Sequence, residues 1–335
     1  MVRALRFSVG IPTRNQAEYL PATLDSLLNQ RRLPDEILVS DHGSTDRTPE
    51  VLSDYVRRFP ALIRVVCPPA GANLTEQYNF TLQSQSGDWI TLLSSDDLAL
   101  PNFCEVFARD AEQFPEAALL RAPWRNIDAH GKVLGQEYLL SVPREQRAPQ
   151  TLIDQRFGPK VNFAAFAIRR TAFESSGPIL GAIESLADWA LFAQLAPFGS
   201  FVRAGEMVSS YRVGHDGNKF RARFGMWVRD EQRMFGQVLP LAAERLGCND
   251  REWIAKASRA NFLRYLRAAA KEFALAERYA LLAELRPWAN SVGEAGQLSR
   301  FAAGEKLEQP LSLGGLPRRL LRPVAHRVAH TLAGR

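Results

Sequence analysis

The stretch "WITLLSSDDLALP", residues 89–101, joins a strand pattern to a pair of adjacent acids. It begins as an apolar, β-branched run of the kind that forms a buried strand, and it then passes through two serines into the adjacent acids Asp96 and Asp97. A helical pattern with proline in its first turn follows over 101–114. The two acids are explained either as a cap for that helix or as part of a binding site, because their mutual repulsion at a strand tip needs a compensating partner.

Three further strand patterns precede this stretch, at 5–11, 36–40 and 62–67, with helical patterns at 17–30 and 44–59 between them. This alternation predicts an α/β fold with a mostly parallel central sheet and crossover helices. Ligands of such sheets bind beyond the carboxyl ends of the strands. The motifs "IPTRN" (11–15), "SDHGSTD" (40–46) and "SSDD" (94–97) are therefore expected to meet at one edge.

The rest of the chain changes character along its length. Two extended pieces with a turn near His130 are followed by a strand pattern at 162–169, a helix at 188–196 and a strand at 207–213. From about residue 222 the patterns are helical, with aromatic and leucine stripes typical of a packed core. We expect an α/β domain at 1–217, a helical appendage at 218–310 and a basic amphipathic tail at 311–335.

Composition excludes several classes of protein. A chain of 335 residues with 46% hydrophobic and 23% charged residues is typical of a folded protein. Its three cysteines are far apart, which argues against a disulfide framework or a thiolate zinc site and fits a reducing cytoplasm. The sequence contains no run of roughly 18 apolar residues, so no membrane span is predicted. The net charge is +6, but the charges are interspersed and no nucleic-acid-binding motif is present, so we expect no nucleic-acid partner.

The three strand-end motifs, in this order, resemble those of family 2 glycosyltransferases, which have the GT-A fold. The resemblance covers roughly residues 5–215. It implies that the following residues bind the nucleotide: Pro12, Thr13, Arg14, Asp41, His42 and Asp96. His42 stands where the family usually has an acid that contacts uracil, and Arg14 stands where tyrosine is frequent. A donor of the UDP or dTDP type is favoured.

The resemblance also assigns a metal to the acid pair. On the family pattern Asp97 holds the cation and Asp96 faces the ribose. Adjacent carboxylates tolerate each other when a cation lies between them and a diphosphate, and oxygen ligands suit Mg²⁺ or Mn²⁺. His215, after "YRVG", resembles the histidine of the family's Y-R-x-H segment with one extra residue before it. It is either a further ligand of the metal or diphosphate or an exposed loop residue.

Asp188 in "ADWALF" (187–192) takes the place of the general base in the family's E-D-W-D-L-W motif. Ala187 and Ala190 replace acids often found there. The alternative interpretation is that Asp188 caps the helix that follows it. The matched parts together imply an inverting glycosyltransferase that uses a nucleotide-diphosphate sugar and acts on a saccharide or lipid-linked acceptor, in the setting of bacterial surface polysaccharide or lipopolysaccharide synthesis.

Two other functions remain open from the sequence. A sugar nucleotidyltransferase needs a glycine-rich basic loop after the first strand, and "VGIPTRNQAEYL" lacks one. A non-catalytic relative that binds a sugar nucleotide or a partner protein fits the altered "ADWALF" motif and His42. The sequence does not identify the sugar, the acceptor or the linkage.

The C-terminal stretch 317–335 interleaves arginines with leucine and valine residues. A basic amphipathic segment of this kind predicts peripheral contact with an anionic membrane, here the inner face of the plasma membrane. The alternative is a solvated terminus.

Overall fold

The structure is a computed structural model that describes residues 4–138, 140, 142–214, 219–248 and 250–307. Within those residues, the strands in chain order are β1 Phe7–Thr13, β2 Glu36–Asp41, β3 Ile63–Val66, β4 Trp89–Leu92, β5 Leu98–Ala99, β6 Leu119–Arg121, β7 Trp124–Ile127, β8 Val133–Tyr138, β9 Glu145–Gln146, β10 Phe166–Arg169, β11 Phe201–Arg203 and β12 Ser209–Arg212. The α-helices are α1 Leu20–Leu28, α2 Thr48–Arg58, α3 Leu74–Ser84, α4 Phe103–Gln113, α5 Gln150–Ile153, α6 Arg170–Ser176, α7 Ala187–Leu195, α8 Lys219–Arg233, α9 Leu239–Arg245, α10 Glu252–Glu272, α11 Leu275–Ser291 and α12 Ala295–Ala303.

The chain divides into two compact units. The first, here called the α/β unit, comprises the described residues of Met1–Thr151, Val161–Ala182 and Leu195–His215. The second, the helical unit, comprises Leu152–Lys160, Ile183–Gln194 and the described part of Asp216–Arg335. Two inner segments therefore belong with the C-terminal helices, a grouping that local sequence patterns do not reveal. The domain bounds expected from the sequence stay a prediction.

The main sheet of the α/β unit has the strand order β3-β2-β1-β4-β10-β6-β11-β9. Strands β3, β2, β1 and β4 run parallel to one another, joined by helices, as the alternating pattern predicted. Every residue of β1, β2 and β4 is buried, whereas only Ile63 is buried in the edge strand β3. The expected α/β class with a mostly parallel sheet is confirmed.

Helix α3 was not predicted from the sequence. It begins with a capping box, in which the Glu76 backbone N–H donates to Asn73 Oδ1 at 2.9 Å and the Asn73 backbone N–H donates to Glu76 Oε2 at 2.7 Å. Its buried face includes Thr75, Gln77 and Thr81. Because these buried residues are polar, the helix lacks the apolar periodicity on which sequence interpretation depends.

A second sheet of the α/β unit has the order β5-β12-β7-β8. The predicted turn near His130 joins β7 to β8, and β12 pairs in parallel with β7. On its other side β12 pairs with β5, so that Ser210 lies opposite Leu98. Since Leu98 directly follows the acid pair, this sheet places β12 beside the acids.

The helical unit has its own aromatic core. Trp288 on α11 packs edge-on against Phe262 and Tyr265 of α10, with ring centroids 5.3 Å and 5.6 Å apart. Its indole Nε1 donates to Ser258 Oγ at 3.0 Å, so the buried donor is satisfied. The aromatic stripes thus form a core, although Tyr279 is exposed. Among the described helices, none combines the length and apolar composition needed to cross a membrane.

Candidate active site

The three strand-end motifs meet at one edge of the main sheet, as predicted. Thr13 at the end of β1 is in register with Asp41 at the end of β2. On the other side of β1, Gly10 pairs with Leu92 of β4, and the Leu93 N–H donates to the Gly10 carbonyl at 2.9 Å. Pro12 and Thr13 are buried, whereas Arg14 is exposed just beyond the strand.

Asp41 holds a turn with one of its oxygens. Its Oδ1 accepts hydrogen bonds from Ser44 N at 3.2 Å and from Ser44 Oγ at 2.5 Å. Gly43 between them has φ +64°, a left-handed conformation that favours glycine. His42 is partly exposed, and its backbone N–H donates to the Thr13 carbonyl at 3.0 Å. The turn interpretation and the binding interpretation of "SDHGSTD" are therefore compatible.

Asn15 joins the first two motif loops. It has φ +53°, which asparagine tolerates, and its N–H donates to Ser44 Oγ at 2.9 Å. Its Oδ1 accepts from the Thr45 N–H at 2.8 Å. Sequence reasoning gave Asn15 no separate role, although its place in "IPTRN" was a signal for one.

Gln77 is another residue that sequence reasoning missed. It lies on α3, is 4% exposed, and its Nε2 donates to the carbonyls of Thr13 and Ser40, both at 3.1 Å. The side chain therefore ties together the ends of β1 and β2. No sequence motif marks this residue, because its partners are main-chain groups far away along the chain.

The acids lie in a tight turn, Ser94–Asp97, which we call the acid turn. The Asp97 N–H donates to the Ser94 carbonyl at 3.0 Å and closes it. Thr23 on α1 is fully buried, and its Oγ1 lies 2.9 Å from the Ser95 carbonyl oxygen and 2.8 Å from that of Asp97. Side chains distant in sequence thus hold the main chain of this turn.

The two acids have different environments. Asp97 is fully buried, and its Oδ1 accepts from the Arg212 backbone N–H at 2.8 Å, while its Oδ2 is buried without a hydrogen-bond partner among the described residues. Burial, and next the neighbouring charge of Asp96, raise the pKa of Asp97 well above its ordinary value. Asp96 is partly exposed.

The sequence-based assignment of the metal to Asp97 stays a prediction, while the two acids differ in their access to solvent. A cation that is bound to a diphosphate enters the site from solvent. The Asp97 side chain has no surface exposed to solvent. Asp96 is the acid with access. The described residues contain no group of three or more His, Cys, Asp or Glu side chains arranged for a metal. Oxygen ligands from one carboxylate, phosphates and water nevertheless fit Mg²⁺ or Mn²⁺ held together with a nucleotide.

Asp188 belongs to the helical unit and lies in the first turn of α7. It is half-buried, and its Oδ1 accepts from the Trp189 backbone N–H at 2.8 Å, so one oxygen serves the helix start. The adjacent Trp189 is buried against Phe235, with ring centroids 5.7 Å apart. His215 and the stretch 317–335 lie outside the described residues.

The loop before Asp188 is held by a residue that the sequence did not single out. Asp230 on α8 is 1% exposed, and its Oδ2 accepts from Glu184 N at 3.2 Å, Ser185 N at 2.7 Å and Ser185 Oγ at 2.6 Å. A buried carboxylate with three donors is a strong anchor. It orders the backbone that leads into α7 within the helical unit.

Comparison with known proteins identifies the relatives of this chain. The family model described as Glycosyl transferase family 2 matches residues 8–176, which include Asp41 and Asp96 but not Asp188. Hyaluronan synthase of Pasteurella multocida is 25% identical over 232 residues, or 69% of this chain and 23% of the synthase. The chain thus spans less than a quarter of the length of that relative.

Solved structures share the fold. S. aureus TarS 1-349 in complex with UDP matches with a TM-score of 0.59 at 16% identity, covering 98% of this chain and 89% of that one. The mannosyltransferase PcManGT from Pyrobaculum calidifontis, in complex with GDP-Man and Mn²⁺, matches with a TM-score of 0.52 at 17% identity. The match covers 90% of this chain and 87% of the PcManGT chain. The expected GT-A fold is confirmed by these matches.

Proposed function

This chain belongs to glycosyltransferase family 2, and on that premise we propose that it transfers a sugar from a nucleotide-diphosphate donor to a hydroxyl group of a saccharide or lipid-linked acceptor. One observation carries the proposal. The Asp41 turn follows β2 and the acid turn, with the partly exposed Asp96, follows β4, and these are the two strands that flank β1 in parallel at one sheet edge. That edge is where parallel sheets bind nucleotides.

The nucleoside is bound by the loops after β1 and β2. Pro12 and Thr13 supply main chain at the edge, and Arg14 is exposed there to stack on a flat base. Asp41 and His42 contact the base or ribose from the neighbouring loop. TarS was crystallised with UDP and PcManGT with GDP-Man. We favour a UDP or dTDP donor for this chain, with His42 replacing the acid that contacts uracil in the family.

The metal, Mg²⁺ or Mn²⁺, would be held by Asp96 together with the donor diphosphate, and His215 is a candidate additional ligand. The sequence-based choice of Asp97 stays the alternative, since its Oδ2 has no hydrogen-bond partner among the described residues. We favour Asp96 because the Asp97 carboxylate is enclosed by protein and its Oδ1 already accepts the Arg212 N–H. When bound, such a metal offsets the charge that develops on the departing diphosphate. The role of Asp97 is to anchor the acid turn.

The reaction is a single displacement. Asp188 accepts the proton of the acceptor hydroxyl, whose oxygen forms a bond to the anomeric carbon of the sugar. The bond from that carbon to the diphosphate oxygen breaks at the same time, and its electron pair leaves with the nucleoside diphosphate. Attack from the face opposite the leaving group inverts the anomeric centre. The proton then passes from Asp188 to water.

Nucleotide binding is the first test. UDP, dTDP, GDP and CMP are each added to the full chain with and without Mn²⁺, and the melting temperature is measured. A ligand at about 100 times its dissociation constant stabilises the folded state by roughly 2.7 kcal/mol, so we expect a manganese-dependent rise with UDP or dTDP. The absence of any shift across the panel would remove the donor assignment. Binding without hydrolysis or transfer of any sugar donor would identify a non-catalytic relative.

The setting that we propose is surface polysaccharide or lipopolysaccharide synthesis at the cytoplasmic face of the membrane, because the basic stretch 317–335 suits an anionic lipid surface. Removing residues 317–335 is expected to lower binding to vesicles of anionic phospholipid, and the difference should fade as salt is raised. Sedimentation with vesicles measures this, with neutral phosphatidylcholine vesicles as the control. Equal sedimentation of both forms would exclude membrane docking through the tail.

A further inference from the structure

The main chain of the acid turn is bound on both sides by side chains from other parts of the α/β unit. Arg212 on β12 is 5% exposed, and its Nε donates to the Asp96 carbonyl at 2.7 Å. Its Nη1 donates to the carbonyls of Asp128 and Ala129 at 2.9 Å and 2.8 Å. One guanidinium therefore joins the acid turn to the turn between β7 and β8.

The bonding between Arg212 and the acid turn is reciprocal. While the Arg212 side chain binds the main chain of Asp96, the Asp97 side chain binds the main chain of Arg212. The guanidinium also lies over the ring of Tyr19, with its central carbon 4.8 Å from the centroid. Rigid planar groups with several donors lose little freedom when they bind in this way.

Thr23 completes the support from the opposite side. Its hydroxyl is shared between the carbonyls of Ser95 and Asp97, so Thr23 and Arg212 between them engage three successive carbonyls, those of Ser95, Asp96 and Asp97. The Asp97 side chain is enclosed, and the Asp96 side chain is the carboxylate of this turn that reaches the surface. The main chain from which the Asp96 side chain departs is thus held by hydrogen bonds from two buried residues.

We propose that Arg212 and Thr23 are positioning residues that aim the Asp96 carboxylate at the metal and diphosphate of the donor. This inference rests on the proposed function of the acid turn. Neither residue contacts the donor in this account, and each acts through the main chain of Asp96. Groups that orient a metal-binding carboxylate typically change metal affinity about 10- to 100-fold when they are removed.

The test is Arg212→Lys, which keeps the positive charge but loses the planar set of donors. Arg169 provides a matched control, because it also binds three main-chain carbonyls of the α/β unit, those of Glu116, Ala117 and Phe198, at 3.1–3.3 Å. Calorimetry measures Mn²⁺ affinity in the presence of saturating UDP, and thermal melting measures stability. We expect Arg212→Lys to lose Mn²⁺ affinity about tenfold or more and Arg169→Lys to lose none. Both variants are expected to lower the melting temperature by a comparable amount.

A second pair of variants keeps the inference testable if Arg212→Lys fails to fold. Thr23→Val removes the shared hydroxyl, and Thr81→Val removes a buried hydroxyl that binds the Gln77 carbonyl within its own helix. Thr23→Val should weaken Mn²⁺ binding and Thr23→Ser should restore it, while Thr81→Val leaves it unchanged. Parent protein that binds neither UDP nor Mn²⁺ would refute the proposed function. If the parent binds UDP and Mn²⁺, and Arg212→Lys and Thr23→Val bind Mn²⁺ with the same affinity as the parent, only the positioning role would be refuted.

Discussion

Asp96→Asn is expected to reduce sugar transfer about 100- to 1,000-fold, the loss found when one group that stabilises a transition state electrostatically is removed. The reason is that Asp96 is the acid of the pair with access to the cleft, and an amide oxygen binds a divalent cation much more weakly than a carboxylate does. The measurement is the initial rate of transfer at saturating donor, together with the Mn²⁺ affinity in the presence of UDP.

The adjacent residue gives a matched control for this prediction. Asp97→Asn makes the same chemical change one position further along the chain, and asparagine Oδ1 still accepts the Arg212 N–H. Because Oδ2 of Asp97 has no hydrogen-bond partner among the described residues, the bond from Arg212 is the one that the substitution must preserve. We expect Asp97→Asn to retain most of the activity and Mn²⁺ affinity. Loss of manganese binding in Asp97→Asn, with binding intact in Asp96→Asn, would return the metal to Asp97.

Asp188→Asn is expected to lower the rate of transfer about 100- to 10,000-fold, the range for removal of a general base. Asparagine keeps an oxygen that accepts the Trp189 N–H, so the start of α7 and the fold should be preserved. Affinity for UDP and Mn²⁺ should stay close to that of the parent, because Asp188 acts on the acceptor. Transfer assays, compared with calorimetry of donor binding, separate the two effects.

Asp250→Asn serves as the control for that change. Asp250 lies before α10 in the same unit, and its Oδ1 accepts a backbone N–H, that of Glu252, at 2.9 Å. It therefore shares the capping role of Asp188 without the proposed chemistry. If Asp188→Asn proved as active as Asp250→Asn, Asp188 would be a cap and the base would have to be sought elsewhere.

The sequence was informative wherever structure follows from local patterns. Apolar β-branched runs predicted β1 to β4, and leucine and aromatic periodicity predicted α1, α2, α4 and the C-terminal helices, because burial of a strand or of one helix face leaves a regular signature. Helix α3 left no such signature, since its buried residues include Gln77 and Thr81. The edge where the motifs meet was also predictable, because parallel neighbours present their carboxyl ends together.

The α/β class, the sheet edge where the motifs meet and the motifs themselves could therefore be read from the amino-acid sequence. Only the tertiary structure decided which of two adjacent aspartates faces outward. That choice depends on the direction in which the acid turn leaves β4, and the partners that set it, Thr23 and Arg212, stand 74 and 115 positions away from Asp97. Strand periodicity ends with the strand, so the orientation of the turn is set by hydrogen bonds that only folding brings together.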